Sequence, residues 1–314
     1  MPTLFWMQAG GCGGDTLALL NAESPTLIEC LASLGIELLY HPSLSQSSPD
    51  DALACCDAIL RGEQTLDFLC VEGALARGPV GSGGFDTWAG RPKIDLVRGL
   101  AERARWTVAI GTCSSFGGIP AAEPNPTDCS GLQFLREDAR AGLLPADYRS
   151  AEGMPVINLS GCPVHPATVT GTFSLLASGL PLRLDRFGRP EPFYNQMVHQ
   201  GCTRNEYHEY DIEETAFGGP GCLFFNLGCK GPRARASCNV ELWNGVSSKT
   251  RAGVPCMACT EPGFPYEQAM FATEKIGEVP VWLPLGVERA SYMAYKGLAR
   301  KAAPPRVEKR RMKP

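Results

Sequence analysis

Cysteine placement constrains this chain more than any other feature. The 314 residues hold 14 cysteines, and Cys202, Cys222, Cys229, Cys238, Cys256 and Cys259 crowd one window with none after it. The N-terminus, MPTLFWMQAGGCGG, shows neither a basic leader segment nor a twin arginine, so the chain reads as unexported. Disulfides are rare in a reducing compartment, and thiols at this density point to metal. A formal net charge of −4 argues against nucleic-acid binding. No run of about 18 apolar residues argues for a membrane span. The expectation is a cytoplasmic protein, membrane-associated only through a partner.

The first half alternates apolar runs with helix-like stretches. Runs at 4–8, 36–42, 66–73, 106–112 and 155–161 read as strands, and 16–34, 50–61, 92–105 and 166–178 as helices. Near-continuous apolar strands separated by helices predict an α/β fold with a parallel sheet covered on both faces. The expected architecture is a flavodoxin-like, doubly wound sheet over residues 1–185. From 186 to 314 periodicity weakens while Cys, Gly and Pro rise. That half reads as a loop-rich domain with short helical pieces, organised around a cofactor rather than a periodic core. The basic tail KAAPPRVEKRRMKP reads as solvated or partner-contacting.

Three cysteines follow predicted strands: Cys12 in GGCGGD, Cys113 in GTCSSFGG and Cys162 in SGCPVHP. Ligands in open α/β sheets bind at the carboxyl ends of strands, so these thiols converge on one edge and suggest a soft metal or an iron–sulfur cluster. The flanking glycines allow close backbone approach. A cubane needs a fourth ligand. Asp15 sits three residues after Cys12, where it is either that ligand or a first-turn helix acid. His165 competes as a ligand or as a donor to one. Glu72, just past the third predicted strand, is either an acid near this edge or a simple cap.

Two further sets lie in the second half. His199 and Cys202 form an H-x-x-C pair, followed by Cys222 and Cys229; one imidazole and three thiolates suit a four-iron cluster or zinc. Cys238, Cys256 and Cys259 form a set of three, which suits a 3Fe–4S centre. Cys30, Cys55, Cys56 and Cys70 read as small buried hydrophobes, and Cys129 has no assignable role.

These motifs resemble the small subunit of a nickel–iron hydrogenase. The likeness spans nearly the whole chain: VEG at 71–73, GTCSSFGGIPA at 111–121, GCPVHP at 161–166, H-x-x-C at 199–202, GCLFFNLGCKGP at 221–232 and PCMACTEP at 255–262. The resemblance implies an electron relay rather than the site of hydrogen cleavage. Hydrogen is split on a separate large subunit, so no catalytic residue falls on this chain. It implies a proximal cluster on Cys12, Cys113 and Cys162, a distal 4Fe–4S cluster on His199, Cys202, Cys222 and Cys229, and a medial cluster on Cys238, Cys256 and Cys259. The family motif carries cysteine where Asp15 stands, which makes Asp15 the preferred fourth ligand of a proximal 4Fe–4S cluster; the rival is a 3Fe–4S centre with Asp15 unbound. Near Lys249 the family often has proline, so the medial cluster is 3Fe–4S or 4Fe–4S. The extra thiols of the six-cysteine proximal variant would fall near Gly14 and Gly118 and are absent. Glu72 and His165 become candidates for contact near the proximal site, and Phe116, Ile119 and Pro120 for the large-subunit interface. The expected assembly is a dimer of heterodimers or higher, with an unspecified electron acceptor. The alternatives are a hydrogen-sensing regulatory complex, a zinc-stabilised structural protein and the cluster-bearing chain of a quinone oxidoreductase.

Overall fold

The computed structural model describes residues 1–277, 279–302 and 304–305, without side chains at 296, 297, 299 and 300. The basic tail from 306 onward lies outside the described residues. The chain divides into two compact units, one of residues 1–193 with 260–265 and one of residues 194–259 with 266–314.

Unit 1 is built on five strands: β1 (Thr3–Gln8), β2 (Glu37–Tyr40), β3 (Phe68–Glu72), β4 (Trp106–Ile110) and β5 (Ile157–Leu159). They pair in the order β2-β1-β3-β4-β5, and every pair is parallel. This is the doubly wound, flavodoxin-like order. Alternate side chains go to opposite faces. Leu4, Trp6, Phe68, Cys70 and Val108 pack with Leu19, Leu31, Val169 and Phe173 on one face. Phe5, Met7, Leu69, Val71 and Ala109 pack with Ile59, Val97 and Leu100 on the other. The first group lies under α1 (Gly14–Leu20), α2 (Leu27–Ser33) and α6 (Pro166–Ala177). The second lies under α3 (Pro49–Arg61) and α4 (Lys93–Arg103). Each fully buried large apolar side chain here contributes roughly 1.5–3 kcal/mol. A short helix, α5 (Gly111–Phe116), follows β4 directly.

The helix expected over 16–34 is two helices. Pro25 cannot continue a helix, and Thr26 starts the next one. Its hydroxyl accepts from Glu29 N at 3.2 Å while the Glu29 carboxylate accepts from Thr26 N at 2.9 Å, a complete capping box.

Unit 2 is mostly irregular. It contains α7 (Asn205–Glu209), α8 (Phe224–Leu227) and one longer helix, α9 (Arg289–Lys301). The sequence predicts only short pieces here, whereas α9 is a 13-residue helix. Side-chain to carbonyl bonds hold the loops. The buried Arg204 donates to Thr250 O at 2.6 Å, Gly219 O at 2.5 Å and Gly221 O at 2.6 Å. Asn239 donates to Val198 O at 2.8 Å and accepts from the Ser248 and Thr250 hydroxyls at 2.5 and 2.7 Å. Among the described residues no helix is long and apolar enough to cross a membrane.

Candidate metal centres

The strand register places the first site. Gln8, Glu72 and Ile110 lie side by side at the carboxyl ends of β1, β3 and β4. Cys12, Cys113 and Cys162 then leave the sheet within a few residues of the ends of β1, β4 and β5. Thr112 N donates to Gly161 O, and Gly161 N to the Thr112 hydroxyl, both at 2.9 Å, so the loops bearing Cys113 and Cys162 are tied together. Asp15 adds a third tie: its Oδ1 accepts from Val164 N at 2.6 Å. Cys12 is exposed, and Cys113 and Cys162 are half-buried.

Asp15 lies in the first turn of α1, whose N-cap is Gly13. Burial pushes its carboxyl up to about 7, against the Val164 N–H bond and helped by the nearby Glu72 charge. Burial likewise pushes the Cys113 thiol up to about 12, with the charges of Cys162, Asp15 and Cys12 adding to it. Cys162, Asp15 and Cys12 therefore all sit within electrostatic range of Cys113. Such a set is costly to ionise without a cation. Glycine is required beside it: Gly111 has φ +84°, and a Cβ there would overlap Asp15 Oδ2.

Glu72 is buried at 2% exposure. Its carboxylate accepts from Thr16 N at 3.0 Å, from the Thr16 hydroxyl and from Trp6 Nε1 at 3.1 Å, so it caps α1 from the neighbouring strand while lying close to Asp15. His165 is the N-cap of α6, its Nδ1 accepting from Ala167 N at 3.2 Å. Phe116 does not suit an interface: it is fully buried against Phe134 and Phe187. Ile119, three residues on, is exposed. Cys30, Cys56 and Cys70 are buried in the core, and Cys129 is buried beside Ala74, Ala76 and Ala121.

In unit 2, His199, Cys202, Cys222 and Cys229 line one cavity. Arg204 N donates to Cys202 Sγ and Phe224 N to Cys222 Sγ, both at 3.4 Å. Burial pushes the Cys222 thiol well up, with Glu213, Cys229 and Cys202 adding. Cys238, Cys256 and Cys259 form the second set: burial and the Cys259 charge push Cys238 up to about 12, against the pull of Lys249, and Cys256 is raised by burial, then by Cys229, Cys259 and Cys238. Ala258 N donates to Cys256 Sγ at 3.4 Å. The two sets touch. Cys256 N donates to Cys229 Sγ at 3.4 Å, and Lys230 N returns a bond to Cys256 O at 2.7 Å.

Sequence reasoning missed His208. Its Nδ1 lies 2.6 Å from Glu213 Oε1, and with Cys222 these groups fall within 4.8 Å of one another. It also missed Arg204 as the residue that ties the loops around the cavity. Both act on partners far away or across a turn, so no spacing announces them.

Comparison with known proteins turns this arrangement into a family. Residues 194–272 match the model for the C-terminal part of the NiFe/NiFeSe hydrogenase small subunit, and 12–176 match that for the 20 Kd subunit of NADH ubiquinone oxidoreductase. The F420 non-reducing hydrogenase I small subunit of Methanosarcina mazei is 34% identical over 285 residues, covering 83% of this chain and 73% of that one. The chain belongs to the nickel–iron hydrogenase small-subunit family. The periplasmic [NiFe] hydrogenase small subunit of Solidesulfovibrio fructosivorans is 32% identical over 271 residues, with 84% of this chain and 79% of the relative covered. Among solved structures, an actinobacterial-type NiFe-hydrogenase from Ralstonia eutropha H16 superposes with TM-score 0.81 at 28% identity, covering 100% of this chain and 92% of that one. The NiFeSe hydrogenase of Desulfomicrobium baculatum superposes with TM-score 0.72 at 32% identity, covering 84% and 95%. Hydrogenase small subunits are electron-relay chains that carry iron–sulfur clusters and pair with a large catalytic subunit. The parallel five-stranded sheet of unit 1 matches the α/β architecture of hydrogenase small-subunit structures.

Proposed function

We propose that this hydrogenase small subunit holds three iron–sulfur clusters on the ligand sets described above. The sheet domain, residues 1–185, holds a proximal 4Fe–4S cluster on Cys12, Cys113, Cys162 and Asp15. The loop-rich domain, residues 186–314, holds a medial cluster on Cys238, Cys256 and Cys259, and a distal 4Fe–4S cluster on His199, Cys202, Cys222 and Cys229. When bound, the clusters supply the one-electron carriers by which electrons released from H2 on the large subunit leave toward an acceptor. The medial type that three thiolates suit is 3Fe–4S.

The observation that carries this reading is the row of backbone N–H groups aimed at ligand sulfurs: Arg204 to Cys202, Phe224 to Cys222, Ala258 to Cys256 and Cys256 to Cys229. Such donors stabilise thiolate over thiol and tune a bound cluster. Four of them in a region without periodic structure fit a chain shaped around metal-bound sulfur. The Cys256-to-Cys229 bond also makes the two C-terminal sets contiguous. Asp15 supplies a harder donor than thiolate and favours ferric iron. Glu72 and His165 act as positioning residues: Glu72 fixes the start of α1, and with it Asp15, and His165 fixes the start of α6 just past Cys162.

The complex is proposed to be cytoplasmic, a dimer of heterodimers or larger, with an acceptor not defined by this chain. The test is anaerobic purification of the heterodimer, with iron and sulfide quantification, EPR-monitored titration, cell fractionation and native mass. Iron for three clusters with little zinc is the expected result. Zinc in place of iron, or iron for fewer clusters, overturns the ligand assignment.

A further inference from the structure

In the medial set a side-chain ammonium is set against the thiols. Lys249 Nζ lies 3.7 Å from Cys259 Sγ and within electrostatic range of Cys238. Its loop is held on both sides. Ser248 and Thr250 are buried, and both hydroxyls are bonded to Asn239, while Val254 N donates to Lys249 O at 2.9 Å. Lys249 is thus presented by a fixed turn. A second ammonium, Lys230, lies in range of Cys229 and Cys256, one thiol from each of the neighbouring sets. Arg204, a third cation nearby, has its guanidinium committed to backbone carbonyls.

We propose that Lys249 is a potential-setting residue of the medial site: its ammonium, held against Cys259 and Cys238, raises the reduction potential of the medial couple above the value the same three thiolates would give alone. The inference rests on the medial ligand assignment. Adding one electron makes a bound cluster more negative, and a fixed positive charge in a poorly solvated site stabilises that product more than the oxidised form. Coulomb attraction falls with distance, so Lys249, placed against Cys259, acts most strongly on the medial couple.

The experiment is EPR-monitored redox titration of the purified heterodimer carrying Lys249→Met, Lys249→Gln or Lys249→Arg, with iron and sulfide measured on each. Both neutral variants are expected to lower the medial midpoint potential by more than the proximal or the distal one. Lys249→Arg is expected to restore it. A medial couple that titrates with the parent in both neutral variants overturns the proposal. So does a uniform shift of all couples, or loss of medial iron in the neutral variants that Lys249→Arg prevents, which would make the charge an assembly requirement instead. Iron for only two clusters in the parent protein strikes down the medial assignment and this proposal with it; a medial signal of unmoved potential strikes down this proposal alone.

Discussion

The two units solve the same problem, holding thiols at fixed places, by opposite means. In unit 1 five parallel strands and two layers of helices bury an apolar core on each face of the sheet, and the proposed ligand residues are short extensions from strand ends. In unit 2 the buried apolar clusters are small. One groups Val198 with three alanines and another groups Cys222, Phe224 and Tyr292. Several of the cysteines are themselves part of these clusters, so the proposed ligands and the core are the same residues. A metal site can therefore be added to a stable fold, or can be the reason a fold is stable.

The contrast is broken or confirmed most directly by removing iron. Chelating the purified protein under anaerobic, denaturant-free conditions is expected to abolish amide-exchange protection across residues 194–259 while strands β3 and β4 keep theirs. Hydrogen exchange followed by mass spectrometry reads both units in one sample. Equal loss in both units would mean that the sheet, too, depends on its cluster. Retained protection in unit 2 would mean that loop bonds such as those of Arg204 and Asn239 suffice alone.

A core truncation should give the converse result. Phe5 is fully buried and packs against Tyr40, with ring centroids 5.2 Å apart. Phe5→Ala is expected to cost about 3–5 kcal/mol. The loss should be read as faster exchange throughout the sheet, with iron-dependent protection in unit 2 unchanged. A spread of the effect into residues 194–259 would contradict the independence of the two scaffolds.

The same difference explains what was legible in the sequence. All five sheet strands stand out: those buried on both faces are near-continuous apolar runs, the edge strand β2 still carries Leu38, Leu39 and Tyr40 in a row, and parallel pairing needs a helix between strands. Their carboxyl ends then place Cys12, Cys113 and Cys162 on one rim with no further information. The failures in unit 1 are local. Pro25 splits a helix that periodicity joined, and Phe116, flanked by small residues, is buried by Phe134 and Phe187, which arrive from elsewhere in the chain. In unit 2 only the ligand spacing could be read. The fold there rests on an arginine reaching three carbonyls and an asparagine serving two hydroxyls, contacts that leave no period.

A smaller perturbation asks how much strain the sheet rim bears to hold Asp15. Gly111 combines φ +84° with a position whose Cβ would overlap the Asp15 carboxylate. Gly111→Ala should therefore cost about 1–3 kcal/mol and displace Asp15. Thermal unfolding of the complex reports the first effect, and the proximal EPR signal reports the second. A normal signal with lowered stability would separate Asp15 from iron ligation.

The smallest expected effect tests whether unit 1 has a pH response of its own, away from any ligand. His41 follows β2. It is 1% exposed, its ring centroid lies 4.8 Å from that of Trp6, and its Nδ1 accepts from Ser43 N at 3.1 Å. Burial depresses its folded pKa from 6.5 to about 4. The neutral ring is thus the form the fold favours, while the unfolded chain takes up a proton below about pH 6.5. The contribution of His41 is complete above pH 6.5 and is lost progressively as pH falls toward 4, at up to about 1.4 kcal/mol per pH unit. His41→Phe keeps an aromatic ring against Trp6 and removes the proton site. Exchange rates of β1 and β2 amides, compared between parent and variant from pH 7 to pH 5, should diverge as pH falls, with the parent opening more. Parallel pH profiles would show that His41 accepts its proton without disturbing the sheet, and would leave iron as the only solution variable to which the two scaffolds respond differently.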